Sequence, residues 1–298
     1  LSVEVLATAK LNLSLEVLGE TPHGFHELRT TMIAISLGDL VRADLSEEQG
    51  VSLDLSGDFS NGVPRDESNL AVRAVLELLE RCEHSSGVRL ALEKRVPAGA
   101  GLGGGSADAA AALLAAREVL GLGEDTEMDE SILGALGSDT VFFRAASAGH
   151  ALCEGRGELV SARERVGDWS ILLLTPSVHA STADVFAAFE PAGDSLEPEH
   201  AADFSNLSAA EARLELRNDL EAPALSLYPE LAAWRNALDA AGLAHARLTG
   251  SGASFFALFE DRSEAQRALS ELLERSSALP KPSLACVTSP SHGVCIKL

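Results

Sequence analysis

The sequence predicts an α+β fold built as two layered domains. Three observations carry this expectation. Strand-like alternation and helical periodicity intermix along the chain, without the strict strand–helix–strand repeat of a doubly wound sheet. A glycine-rich loop, Pro97 to Asp108, joins an alternating segment to an alanine-rich helical run. The length of 298 residues suits two domains or one large one, and the pattern favours two, 1–160 and 161–298.

The elements follow in order. Residues 3–17 alternate. Val3, Val5, Ala7, Ala9, Leu11, Leu13, Leu15 and Val17 share one face, and Thr8, Lys10, Asn12 and Ser14 line a surface or cleft on the other. Pro22-His23-Gly24 breaks this strand. Strands are expected over 28–37 and 40–45, with Gly38-Asp39 as a turn, and over 51–55. Residues 69–81 form an amphipathic helix with Ser68 as a candidate cap. A strand ending at Val96, the glycine loop and a helix from Ser106 to Leu120 come next, with Gly121 as a helix stop. A short helix over 128–136, a hairpin over 149–160 and a buried strand over 170–174 follow. Pro191 to Pro198 is acidic and the most linker-like stretch. Helices are expected over 213–220, 228–241 and 264–275. Strands are expected over 254–259 and in the alternating tail from Ser283 to Lys297.

Composition narrows the function classes. The chain is 46% hydrophobic and 23% charged, which is ordinary for a globular protein with a sizeable core. A formal net charge of −22 argues against nucleic acid or an anionic membrane as partner, because both need a basic face. No run approaches the ~20 apolar residues of a membrane span. The chain opens on a strand pattern rather than a basic-then-apolar leader, so a cytoplasmic location is the expectation. The four cysteines are scattered without a C-x-x-C pair and read as inert thiols. The basic residues are 19 arginines and only four lysines, Lys10, Lys94, Lys281 and Lys297. A lysine supplies a compact point charge that arginine does not replace at a phosphate.

The loop holds five glycines, Gly99, Gly101, Gly103, Gly104 and Gly105. Backbone N–H groups crowd around an anion where no Cβ intervenes, and a following helix start adds unpaired donors and partial positive charge. That combination is a phosphate cradle. Gly99-x-Gly101-x-x-Gly104 also fits the dinucleotide fingerprint, but the second strand with its acidic end is missing downstream. A P-loop would end in Gly-Lys-Ser/Thr, whereas Gly104-Gly105-Ser106 has no lysine. Ser106 is read as a helix cap, a phosphate contact or a magnesium ligand. Asp139, opening an apolar run, is read as a cap or as a general base, and the sequence alone favours the cap. Phe25 and Phe186 are read as core residues, with ring stacking as the alternative for Phe25.

Ala9-Lys10-Leu11-Asn12-Leu13, the Pro97 to Ala107 loop and Thr249-Gly250-Ser251-Gly252-Ala253 resemble the three ordered motifs of the GHMP small-molecule kinases. Gly24-Phe25-His26, Glu93-Lys94-Arg95, Gly137-Ser138-Asp139, Gly155-x-Gly157-Glu158 and Asn218-Asp219 add to the likeness, which spans almost the whole chain. The resemblance implies an ATP-carrying N-terminal domain with a ribosomal-protein-like fold and a ferredoxin-like C-terminal domain, with the substrate in the cleft between them. It implies ATP and Mg²⁺ as cofactors and, as partner, a small molecule carrying a cytidine diphosphate. Carried over by position, Asp139 is the base and Lys10 its charge-stabilising partner. Asn69 and Lys94 lie near the adenine. The triphosphate is held by Pro97, Ala98, Gly99, Ala100, Gly101, Leu102, Gly103, Gly104, Gly105, Ser106 and Ala107. Phe25 and Phe186 sandwich the cytosine, His26 pairs with its edge, and Asn12 and Thr182 are polar contacts on the substrate side. Phe25 stands where the family more often has tyrosine, and Thr140-Val141 replaces its valine–proline. Another small alcohol (mevalonate, homoserine or a sugar) and a catalytically silent nucleotide-binding relative stay open as alternatives.

Overall fold

The computed structural model describes all residues except 21–25, 147, 191–201, 290–294 and 298. In chain order the elements are β1 (Ser2–Glu20), β2 (His26–Ser46), β3 (Val51–Ser56), α1 (Leu70–Arg81), β4 (Gly87–Glu93), α2 (Gly104–Val119), α3 (Thr126–Leu136), α4 (Thr140–Ala145), β5 (His150–Gly155) and β6 (Leu159–Ala162). Then come β7 (Ser170–Thr175), α5 (Thr182–Ala187), α6 (Ala209–Glu215), β8 (Arg217–Asn218), α7 (Glu221–Leu227), α8 (Pro229–Ala240), β9 (Arg247–Leu248), β10 (Phe255–Phe259), α9 (Arg262–Arg275), β11 (Ser283–Thr288) and β12 (Cys295–Lys297). No helix among the described residues is long and apolar enough to cross a membrane.

Two sheets organise the molecule. The first runs β12-β1-β2-β4-β3, with β5 and then β6 continuing from β2 and β8 joining β1. The second is β11-β7-β10-β9. Both β8 and β12 come from the second half of the chain, so β1 carries strands from both halves.

β1 explains how the halves lock together. Its odd-numbered residues are buried as their alternation predicts, but they feed three cores. Val3, Val5 and Ala7 pack with α1, α2 and α4. Ala9, Leu11 and Leu13 pack with Ile171, Leu173, Phe256 and Leu258 of the second sheet. Leu15 and Val17 join Phe255, Trp234 and Leu238 on the second sheet's far side. Register shifts against β2 between Thr8/Lys10, Asn12/Ser14 and Val17/Gly19 accompany this change of partner, as bulges do when they bend a strand. The even face is buried as well: Thr8, Lys10, Asn12 and Ser14 are all 1–3% exposed. The predicted polar front is therefore an internal wall.

Four local expectations are corrected. Gly38-Asp39 is no turn, because β2 runs through it: a Cβ on Gly38 would sit 2.7 Å from Ala7 O, and Asp39 is a buried acceptor. The α1 cap is Asn69 rather than Ser68; the Asn69 carboxamide oxygen accepts from Ala71 N. Ser106 does not cap α2. Gly103 holds that place with φ +69°, and the helix starts two residues before Ser106. The helix expected over 213–220 is α6, which ends at Glu215 so that Arg217–Asn218 pairs with β1. Pro22-His23-Gly24 and the acidic stretch from Pro191 to Pro198 lie outside the described residues.

Candidate active site

The glycine loop stands between two cavities. One, of about 380 Å³, is lined by Pro97 to Ser106 together with Asn69, Lys94 and Asp108. The other, of about 240 Å³, is lined by Lys10, Asn12, Asp139, Thr182 and Phe186, and Gly101 and Gly103 face both. Ala107 lines neither; it is fully buried in the core beneath α2. The first cavity thus gathers the expected nucleotide residues apart from Ala107. The second gathers Lys10, Asp139 and the expected substrate-side residues Asn12, Thr182 and Phe186.

The polar wall of β1 is wired to the loop and to the Thr249–Gly252 turn. Lys10 N donates to Leu102 O at 2.9 Å, and Asn12 N donates to Thr249 Oγ1 at 3.0 Å. Lys10 Nζ donates to Asn12 Oδ1 at 2.6 Å and sits 3.3 Å from Asp139 Oδ2. Asn12 Nδ2 donates to Thr30 Oγ1 at 2.8 Å, so the carboxamide is turned with its oxygen toward Lys10. Thr249 Oγ1 also reaches that oxygen, at 3.2 Å. The Asn218 side-chain amide donates to Leu248 O and Gly250 O at 2.7 and 2.8 Å and holds the turn in place.

Asp139 immediately precedes α4, but its side chain makes no capping bond. Its carboxylate instead faces Lys10 and is 32% exposed, against 4% for Lys10. An accessible carboxylate beside a buried ammonium is the arrangement a general base with a charge partner requires. Thr140, which stands in the family's valine–proline position, supplies its own anchor. Its hydroxyl lies 2.5 Å from Leu133 O and 2.6 Å from Gly137 O, which ties the turn that presents Asp139. The Cys153 thiol is also in this region, but burial pushes it up to about 12, which keeps it protonated and unreactive.

On the substrate side, the His26 and Phe186 rings stack with centroids 4.9 Å apart and 16° between planes. The Thr182 and Ser251 hydroxyls are 2.8 Å apart. Phe25 lies outside the described residues. Lys94 is more deeply engaged than its sequence position implies: its ammonium binds both Asp39 and Asp108, and all three residues are buried.

Sequence reasoning missed several site residues. Arg156 and Ser138 line the second cavity, and Asp39 and Asp108 flank Lys94. Arg156 sits in the hairpin turn between Gly155 and Gly157, so the Gly-x-Gly-Glu motif held its signal. Asp39 was hidden by the reading of Gly38-Asp39 as a turn.

Comparison with known proteins accords with this geometry. The family model described as "GHMP kinases N terminal domain" matches residues 69–143, and "GHMP kinases C terminal" matches 199–277. The chain is 35% identical to the 4-diphosphocytidyl-2-C-methyl-D-erythritol kinase of Citrifermentans bemidjiense, over 91% of this chain and 94% of that one. It is 36% identical to the enzyme of the same name from Synechococcus elongatus, over 98% and 97%. A crystal structure of 4-(cytidine 5'-diphospho)-2C-methyl-D-erythritol kinase superposes with a TM-score of 0.76 at 33% identity, covering 96% and 99%. A homoserine kinase structure from Cytophaga hutchinsonii, at 20% identity and TM-score 0.73, shares the fold. A glycine cradle fed by a lysine from another strand is thus matched by sequence likeness over nearly the full length, and this chain belongs to the GHMP kinases.

Proposed function

We propose that this chain transfers the γ-phosphoryl group of ATP to the 2-hydroxyl of 4-diphosphocytidyl-2-C-methyl-D-erythritol, a step of the non-mevalonate route to isoprenoid precursors. The observation that carries the reading is the Lys10–Asp139 pair, set in the second cavity where Gly101 and Gly103 divide it from the first. A hydroxyl bound there meets a carboxylate on one side and the end of the nucleotide cradle on the other.

The chemistry follows from the residues. The 2-oxygen forms a bond to the γ-phosphorus, the bond from that phosphorus to the β,γ-bridging oxygen breaks, and the hydroxyl proton passes to Asp139. ADP leaves. Phosphoryl transfer asks a protein mainly for alignment and charge neutralisation. The loop N–H groups and the α2 N-terminus hold the triphosphate, and Lys10 offsets charge at the reacting centre.

Mg²⁺ fits this donor set. No cluster of three or more His, Cys, Asp or Glu side chains suited to a metal occurs among the described residues. Mg²⁺ at nucleotide sites usually takes one or two protein ligands beside the phosphates and water. Ser106, which lines the nucleotide cavity, is the residue that would hold it. When bound, the ion supplies neutralisation of the phosphate oxygens.

The cytidine-tagged substrate is favoured over another small alcohol by Phe186, which lines the acceptor cavity with the His26 ring packed on it, since an aromatic face at that wall serves a substrate that carries a base. Retention of both Lys10 and Asp139 in contact favours an active kinase over a silent relative. The test is a coupled ADP-release assay with Mg²⁺–ATP against this substrate, mevalonate, homoserine and a hexose. Turnover confined to the cytidine-linked alcohol is the expected result. Turnover with one of the others, or with none, from folded protein refutes the proposal.

A further inference from the structure

One carboxylate holds the whole entrance of the glycine loop. Asp39 is fully buried on β2. Its Oδ1 accepts from Arg95 N at 2.5 Å and from Val96 N at 2.8 Å, and its Oδ2 binds the Lys94 ammonium. Three consecutive residues leading into the loop therefore rest on one side chain. Lys94 then reaches past the loop and donates to Asp108 Oδ2 at 2.6 Å, in α2 just after the loop ends. The entry and exit of the cradle are joined by a two-carboxylate, one-ammonium bridge, in which each side chain is at most 5% exposed.

The charge balance fits a device placed under a polyphosphate. Two ionised carboxylates on one ammonium would leave a negative charge beneath the anion. Burial first, and the neighbouring Asp39 second among the effects acting in that direction, push the Asp108 carboxyl upward, which lessens that negative charge. The bridge also accounts for lysine at position 94. Its compact ammonium fits between two buried carboxylates, a space the wider guanidinium fork does not match.

Resting on the reading of the first cavity as the ATP site, we infer that Asp39 is a positioning residue for the nucleotide. It touches no substrate itself. Through Arg95 N, Val96 N and the Lys94–Asp108 bridge it sets the loop's N–H donors before ATP arrives. Nothing in the sequence likeness assigns it this role.

The test measures binding of a non-hydrolysable ATP analogue by calorimetry, beside full steady-state kinetics, for the wild type and for Asp39→Asn, Asp108→Ala and Asp108→Asn. In Asp39→Asn an amide N–H must face either Lys94 or the Arg95 and Val96 donors. The analogue's Kd and the KM for ATP should rise by about tenfold, while kcat and the acceptor KM change far less. Asp108→Ala cuts the exit half alone and should weaken the analogue severalfold. Asp108→Asn keeps an acceptor for Lys94 and should restore most of that loss. A folded Asp39→Asn that binds the analogue like wild type overturns the inference. So does a uniform fall in kcat and both affinities with a lowered Tm, which marks mere destabilisation. If Asp39→Asn does not fold, equal affinity in Asp108→Ala and wild type overturns it. Wild type that binds no analogue refutes the ATP-site reading and this inference together. Wild type that binds the analogue but phosphorylates a different alcohol refutes only the proposed substrate.

Discussion

Replacing Gly101 by alanine isolates what holds the two cavities in register. Gly101 has φ +76°, and a Cβ there would lie 2.3 Å from Thr249 O and 2.8 Å from Gly252 O. Both are backbone atoms, so no side chain can swing aside. Ordinary contact requires the glycine loop and the Thr249–Gly252 turn to part by about 1 Å. That separation breaks the Ser254 N to Ala100 O bond, now 3.2 Å, and shifts the loop relative to Lys10 and Asp139. Left-handed backbone for alanine costs about 1 kcal/mol, the lost bond about 1 kcal/mol, and residual overpacking about 1–3 kcal/mol. The sum of roughly 3–5 kcal/mol corresponds to a Tm lower by on the order of 10 °C in a chain of this size. A cradle displaced by about 1 Å should lower kcat/KM for both substrates by roughly 10²-fold, because Gly101 faces both cavities. Gly105→Ala is the internal comparison. A Cβ at Gly105 meets only Leu70 Cδ1, at 3.9 Å, in the first turn of α2, so its stability should rise by about 0.5–1 kcal/mol from helix propensity. Differential scanning fluorimetry and steady-state kinetics on both variants check this. A Gly101→Ala protein with Tm within 2 °C of wild type and kcat/KM within threefold, on the order of the ±0.5 kcal/mol scatter of neutral substitutions, refutes the reasoning.

Asp139→Asn keeps the shape of the acceptor cavity and removes the carboxylate proposed as the base. Its kcat should fall by about 10²–10⁴-fold with the ATP KM little changed, and initial rates at saturating substrates read this directly. Phe186→Ala removes the ring that stacks on His26, so the KM for the cytidine-linked acceptor should rise by about tenfold while the KM for ATP holds. The pH dependence of stability should carry an inverted carboxylate contribution. Asp108 is raised from 3.8 to about 8, chiefly by burial, so the folded state keeps a proton that the unfolded state releases. The associated stability is full below about pH 4 and is lost as pH rises toward 8, with a slope of at most about 1.4 kcal/mol per pH unit. Denaturant unfolding at pH 5 and pH 8 should show this decline in wild type and a smaller one in Asp108→Asn. Equal slopes in the two proteins contradict the assignment.

Much of the architecture was legible because its signals are local. The alternation of residues 3–17, the periodicity of 69–81 and the strand–glycine–helix sequence each depend on neighbours within a few positions, and each element formed, with only its ends displaced. The errors arose where a distant contact overrode a local habit. Gly38-Asp39 has turn-forming composition, yet Ala7 passes too close for any side chain at 38, and Lys94 with two N–H groups claims the carboxylate at 39. Ser106 has a capping side chain, but the helix starts earlier because Gly103 supplies the left-handed entry. Among 45 acidic residues, nothing in one sequence marks Asp39 and Asp108 as partners of a single lysine. Their sign was indirect: a lysine kept in an arginine-rich chain at the end of a core-facing strand needs buried counter-charges.

The absent lysine at the end of the glycine loop can be understood from Gly103. A lysine within a P-loop rides on the same backbone that binds the phosphates. Here the working ammonium comes from β1 and must pass beside the loop to reach Asp139. A Cβ on Gly103 would stand 2.9 Å from Lys10 Cγ and 3.0 Å from Phe143 Cζ. The bare backbone at 103 therefore serves the lysine's passage as well as the left-handed entry to α2. Separating lysine from cradle has a chemical consequence. Lys10 is fixed by Asn12, which is tied through Thr249 to the turn from the second half of the chain, while the loop rests on Asp39 and Lys94. On the proposed reading, nucleotide and reacting hydroxyl are thus positioned by two sets of bonds that meet along the loop from Ala100 to Gly103. Loosening one set should shift affinity for one substrate, whereas Gly101 and Gly103, where the sets touch, should affect both.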